Sequence, residues 1–160
     1  MRGETSFTPT EQRGLQLFVT EFDPKNNLHG ADCFHCHGGN LFTNHEFANN
    51  GLETSFTDLG LGKITGNAAD AGKFATPSLR NVAVTGPYMH DGRFTSLDEV
   101  IDHYDRGVKR SNTLDPNLAK HPDTGLGLSP EDKRALIAFL NTLTDDQFLG
   151  ATEANSLTLK

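Results

Sequence analysis

The chain has 160 residues, a formal net charge of −7 and a hydrophobic content of only 35%. That length supports one domain around a single core, and the acidic balance argues against nucleic acid or an anionic membrane surface as a partner. No apolar run approaches the roughly 20 residues of a membrane span, and Met1 to Thr10 lacks the apolar stretch of a signal peptide.

Thr8-Pro9-Thr10-Glu11 is a capping box with proline at the first helical position. Leu15, Phe18, Val19 and Phe22 follow at helical spacing, so a helix is predicted over 9–22, and Gly14 beside the stripe would let another helix approach closely. Asp23-Pro24 ends it. A polar loop containing Asn26, Asn27 and Gly30 leads to Cys33-Phe34-His35-Cys36-His37.

Residues 38–72 show little periodicity and read as a long loop, with His45 at the surface and apolar residues such as Phe42, Phe47 and Phe56 scattered through it. Thr76 to Asn81 begins a short turn or helix, and Gly86 to Gly92 a tight loop. Ser96-Leu97-Asp98-Glu99 is a second capping box. It opens a helix whose stripe is Leu97, Val100, Ile101 and Tyr104, with Gly107 as its C-cap and Arg106, Lys109 and Arg110 near the negative helix end. After a loop marked by Pro116, Pro122, Gly125 and Gly127, Ser129-Pro130 caps a last helix with the stripe Leu136, Phe139, Leu140 and Leu143. The tail beyond Phe148 is polar and expected to fray. With no strand alternation and no repeats, the expected fold is all-α, with long loops and the first and last helices crossing.

The two cysteines are the only ones in the chain, three positions apart, with a histidine directly after the second. This is the attachment pattern of c-type haem. One turn points both thiols the same way for addition to two vinyl groups, and the next residue supplies the proximal imidazole, His37. Three other readings fit less well. Zinc needs a fourth ligand from His29, His35 or His45, and no second paired cluster is present. A thioredoxin-like pair lacks its strand–helix–strand setting. A disulfide across two residues is strained. A covalent haem would make up for the thin apolar core, giving a cytochrome c-like helical domain wrapped around one haem. Because such attachment occurs outside the cytoplasm, a processed or excised periplasmic piece is expected.

A second axial ligand would make the iron an electron-transfer centre rather than a peroxide-binding one. Met89 would bring a thioether and a raised potential. Tyr104, on the apolar face of its helix, would bring a hard phenolate that favours oxidised iron.

The haem motif, together with Phe74 to Gly92 (FATPSLRNVAVTGPYMHDG) and Phe94 to Gly107 (FTSLDEVIDHYDRG), resembles the C-terminal haem domain of the bacterial di-haem cytochrome c peroxidases and their MauG-like relatives. Thr8 to Phe18 and Leu41-Phe42-Thr43 match as well, so the similarity covers residues 8–147, with 1–7 and 148–160 as terminal extensions. The resemblance implies that Cys33 and Cys36 hold the haem and that His37 is proximal. It favours Tyr104 over Met89 as distal ligand, since MauG-like proteins carry tyrosine at that position. It also implies that Arg80 and His90 lie near the haem and its propionates, and that the backbone carbonyls of Thr85 and Pro87 help hold a calcium ion.

The family has two haem domains, and peroxide reacts at the other one. This chain has one haem motif and no tryptophan. The resemblance therefore implies an electron-relay or oxidant-storing haem in a peroxidase-type oxidoreductase, and it identifies no catalytic residue here. The expected partners are a second haem domain and a small cytochrome or cupredoxin that donates or accepts electrons. The rival readings are a stand-alone mono-haem electron carrier with Met89 as ligand, and a stand-alone peroxidase in which Tyr104 only packs.

Overall fold

The computed structural model describes residues 6–121, 123 and 125–150. Met1, Pro122 and most of the terminal extensions lie outside the described residues. Four α-helices carry the architecture: α1 (Pro9–Val19), α2 (Leu61–Thr65), α3 (Leu97–Asp102) and α4 (Pro130–Asn141). Short 3-10 turns and loops join them.

Helix α1 starts where its capping box dictates. The Glu11 amide donates to Thr8 Oγ1, and the Thr8 amide donates back to Glu11 Oε2 at 2.7 Å. It ends at Val19, three residues before the predicted end. The returning chain claims the carbonyls that would continue the helix: the amides of Ala31, Asp32 and Gly30 donate to Leu17, Thr20 and Glu21. Phe22 is thereby taken into a two-residue strand, β1 (Phe22–Asp23), paired antiparallel with β2 (Leu28–His29).

The buried face of α1 also differs from the predicted stripe. It is Gly14, Leu17 and Phe18, while Val19 is exposed. Gly14 explains the shift, because a Cβ there would overlap the Ala135 carbonyl of α4. The helix turns its smallest residue toward α4, and the apolar positions one turn on follow. The Gly14 close approach and the crossing of first and last helices are both observed.

Helix α4 buries Ala135, Leu136, Phe139 and Leu140 beneath a Ser129 cap, with Leu143 half-buried. The Phe18 and Phe139 rings lie 5.2 Å apart, with Phe42 6.0 Å from Phe18 and 6.3 Å from Phe139. Leu97 and Ile101 of α3, with Leu126 and Leu128, complete the core.

The all-α expectation is corrected in detail. The predicted 38–72 loop contains β3 (Phe47–Ala48), which pairs with β4 (Phe74–Ala75), as well as α2. These two-residue ladders lack the length that makes alternation visible in sequence, so the fold is helical with two minimal β-pairings. Gly107 is also not a left-handed cap. Instead α3 widens into a π-helical turn, His103–Gly107. No described helix is long and apolar enough to cross a membrane.

Candidate cofactor site

Cys33, Phe34 and His35 form a 3-10 turn, and the amides of Cys36 and His37 both return to the Cys33 carbonyl. Asp32, at φ 58°, bends the chain into this turn. Both thiols are free and half-buried. Burial pushes the Cys33 thiol up to about 12 and Cys36 to about 11, so both are held neutral.

The zinc alternative needs two further ligands, His37 and another histidine, gathered around these sulfurs. Among the described residues, the one grouping of side chains close enough to share a metal is Glu21, Asp32 and His35, and it includes neither cysteine. The Lys120 ammonium already sits between Glu21 and Asp32, 3.0 Å from each. His29 packs edge-on to Phe22, and His45 is exposed at φ 61°. None of the three histidines considered as a fourth ligand joins the cysteines.

His37 is oriented by its backbone surroundings. Its Nδ1 lies 3.0 Å from the Phe42 carbonyl. Burial, the larger effect, lowers its pKa and keeps the ring neutral. An imidazole donating through Nδ1 leaves Nε2 free as a ligand, the usual arrangement of a metal-binding histidine. The Phe42 residue that supplies this carbonyl drives its ring into the α1–α4 core, so the ligand's orientation is tied to the main helix crossing.

Tyr104 lies in the π-helical turn, where one extra residue per turn brings His103 and Asp105 to buried positions on either side of it. His103 Nε2 lies 2.9 Å from the Asn50 carbonyl. Asp105 accepts from the Leu128 amide at 3.1 Å and pairs with Lys133 of α4 at 2.6 Å. Tyr104 is thus clamped through both neighbours. Burial pushes its phenol up to about 12, with the Asn50 side-chain amide opposing the rise and the negative charge of Asp115 adding to it.

Met89, at φ 73°, is half-buried, and its sulfur accepts from Asn50 Nδ2 at 3.3 Å. Arg80 is exposed, donating to the Asn40 carbonyl at 3.0 and 3.2 Å, and lines a cavity of about 450 Å³ with Phe42 and residues 142–147. His90, also exposed, stacks on Phe74 at 3.7 Å. Thr85 and Pro87 are exposed on either side of Gly86, whose bond to Pro87 is cis.

These residues fit a covalent haem c. Two neutral thiols one turn apart, an imidazole with one nitrogen engaged, and a phenol and a thioether elsewhere in the site make up its donor set. Cys33, Phe34, Phe42, Leu79 and Val82 pack on the core yet stay half-buried, forming an apolar rim suited to a porphyrin edge. For calcium, the carbonyls of Thr85 and Pro87 would supply two of the six to eight oxygens the ion takes. The sequence reading missed Asn50 and His103, because their partners lie 39 to 53 positions away and no local pattern marks them.

No family model matches the chain. MauG of Paracoccus denitrificans is 35% identical over 92% of this chain and 46% of its own length. The cytochrome-c peroxidase IdrP1 of a Pseudomonas species is 33% identical over 84% of this chain and 40% of its own length. Among solved structures, a MauG-like protein associated with microbial copper homeostasis superposes with a TM-score of 0.68 at 36% identity, covering 89% of this chain and 49% of that one. The di-haem peroxidase BthA of Burkholderia thailandensis shares the fold, with a TM-score of 0.67 at 22% identity over 91% of this chain and 45% of that one. The chain spans less than half the length of the curated relatives it matches. Over that span it belongs to the family of MauG and the di-haem cytochrome c peroxidases.

Proposed function

We propose that this chain is the c-type haem electron-transfer unit of a di-haem peroxidase or MauG-like oxidoreductase, working with a second, peroxide-reactive haem outside it. The observation that carries this reading is the Cys33–His37 turn, in which the bond at His37 Nδ1 leaves Nε2 as the ligand nitrogen, and the half-buried Tyr104 in its π-helical turn supports it. Bound haem would supply a one-electron redox centre.

The chain's own residues would set its properties. Cys33 and Cys36 would hold the porphyrin through thioethers, and His37, braced by the Phe42 carbonyl, would be the proximal ligand. Tyr104, the distal ligand in this reading, keeps its proton at neutral pH unless a cation sits on its oxygen, because burial raises the phenol. A hard phenolate there would favour ferric and higher-valent iron, suiting a relay or an oxidant store. Arg80 and His90 would meet the propionate edge. Calcium at Thr85 and Pro87 would draw its remaining oxygens from water or the second haem domain. Periplasmic location and electron exchange with a small cytochrome or cupredoxin belong to the same reading.

The test is a spectroscopic redox titration of the haem-loaded chain beside a Tyr104→Phe variant. Oxygen ligation in the ferric spectrum, a strongly negative midpoint and loss of both in the variant are expected. An unchanged ferric spectrum in Tyr104→Phe would sink the ligand assignment, and a positive midpoint with a sulfur-to-iron band would favour Met89 and a simple electron carrier.

A further inference from the structure

Asn50 reaches three parts of the site at once. Its backbone carbonyl meets His103 Nε2 at 2.9 Å. Its side-chain Nδ2 donates to Met89 Sδ at 3.3 Å, and the same side chain lies near enough to the Tyr104 hydroxyl to hold the phenol below the value burial alone would set. One side chain therefore stands between both residues that carry a chemically competent distal ligand, bonded to Met89 and acting on Tyr104.

The segment bearing Asn50 is rigid. Asn49 next to it is 2% exposed, and its amide donates to Ser111 Oγ and Thr113 Oγ1, both at 2.9 Å. The Gly51 amide returns to Asn49 Oδ1, and the Gly51 carbonyl accepts from the Lys109 amide at 2.8 Å. The Asn50 amide is thus presented from a fixed backbone.

We propose that Asn50 is a positioning residue that selects between rival iron ligands, tethering the Met89 thioether with one N–H of its amide and supporting the Tyr104 oxygen with the other. The inference rests on the reading of Tyr104 as distal ligand. A thioether is a weak acceptor, so the tether is effective only because its donor is held in place and because it restrains a flexible, three-rotor side chain. The outcome matters electronically. A phenolate oxygen stabilises oxidised iron, whereas a thioether raises the potential. Choosing the ligand therefore chooses the potential at which the site works.

The experiment uses the haem-loaded chain as wild type, Asn50→Leu, Asn50→Ala and the double variant Asn50→Leu/Met89→Leu, read by ferric absorption, electron paramagnetic resonance and midpoint potential. The His103 contact uses the Asn50 backbone and survives all of these substitutions, and two side chains of different size guard against a packing artefact in either one. A sulfur-to-iron band and a more positive midpoint are expected in both single variants, with the band absent from the double variant. Single variants that keep the wild-type spectrum and midpoint would overturn the proposal. So would single variants that lose oxygen ligation without gaining sulfur, since Met89 would then not be the restrained rival. A wild-type spectrum without oxygen ligation would instead defeat the Tyr104 reading itself, a failure visible before any variant is compared.

Discussion

At the scale of single residues, His37 shows how much of a ligand's behaviour comes from its backbone neighbours. Its identity as a ligand is written in the motif. Its tautomer, however, is set by the Phe42 carbonyl at 3.0 Å, and Phe42 is held at φ 53° by packing in the core. Replacing Phe42 by Ala should cost less than the roughly 3–5 kcal/mol of a fully buried phenylalanine, because its ring is only half-buried. It should also broaden the ferric ligand-field spectrum of the haem-loaded chain as His37 loses its fixed orientation. A stability loss with an unchanged spectrum would show that the carbonyl does not depend on the ring. The cysteines make a simpler prediction. Either single Cys→Ala variant should retain haem through one thioether in denaturant, and the double variant should release it, as read by haem staining after denaturing electrophoresis. Haem retention in the double variant would contradict attachment through these sulfurs.

At the scale of elements, the α1–α4 crossing depends on Gly14. Because a Cβ there would overlap backbone rather than a movable side-chain tip, Gly14→Ala should destabilise despite alanine's better helix propensity. A loss of about 1–3 kcal/mol in denaturant titration is expected, and a gain would mean the helices can part freely. The turn carrying Tyr104 depends on Asp105, whose carboxylate is 3% exposed. Burial alone would raise its pKa, but Lys133, the Leu128 amide and Arg106 outweigh that effect and hold it below 3.8. A depressed carboxylate stabilises the fold above its unfolded value and loses that contribution as pH falls through the folded value. The Asp105 contribution should therefore be complete above about pH 4–5 and fade below it. Asp105→Asn should cost about 1–3 kcal/mol at neutral pH, because the Leu128 amide and Arg106 lose a charged acceptor while Lys133 keeps Asp102 at 2.6 Å, and its stability should converge with wild type in acid. Parallel stability curves down to low pH would show that the clasp does not titrate.

At the scale of the whole molecule, an apolar rim on a thin core suggests that cofactor and fold are coupled. Phe34, Phe42, Leu79 and Val82 are half-buried against the core, and covering them at about 25 cal/mol per Å² adds driving force the protein alone lacks. Haem loading should therefore raise the melting temperature and slow amide exchange in the 33–44 and 76–84 segments more than in α4. Uniform protection would argue that haem touches a different surface. Because the chain spans less than half of its relatives' length, the isolated haem-loaded chain should turn over peroxide poorly with an added electron donor. Rapid turnover would revive the stand-alone peroxidase reading.

Local chemistry in the sequence determined the helix starts at Thr8, Ser96 and Ser129, since a capping side chain needs only neighbours three residues away. It also determined the haem motif, whose function lies in its spacing. Tertiary structure decided what depends on distant groups. Phe22 left its predicted helix because residues 30–32 took the carbonyls, and the stripe of α1 rotated to bring Gly14 against Ala135. Tyr104 came to lie in a π-helical turn gripped by Asn50 and Lys133, and Met89 became tied to Asn50, 39 positions away. Hydrogen bonds and close approaches between segments far apart in the chain have no period and leave no local signature. The residues that hold the ligands in place became legible only once the chain had folded.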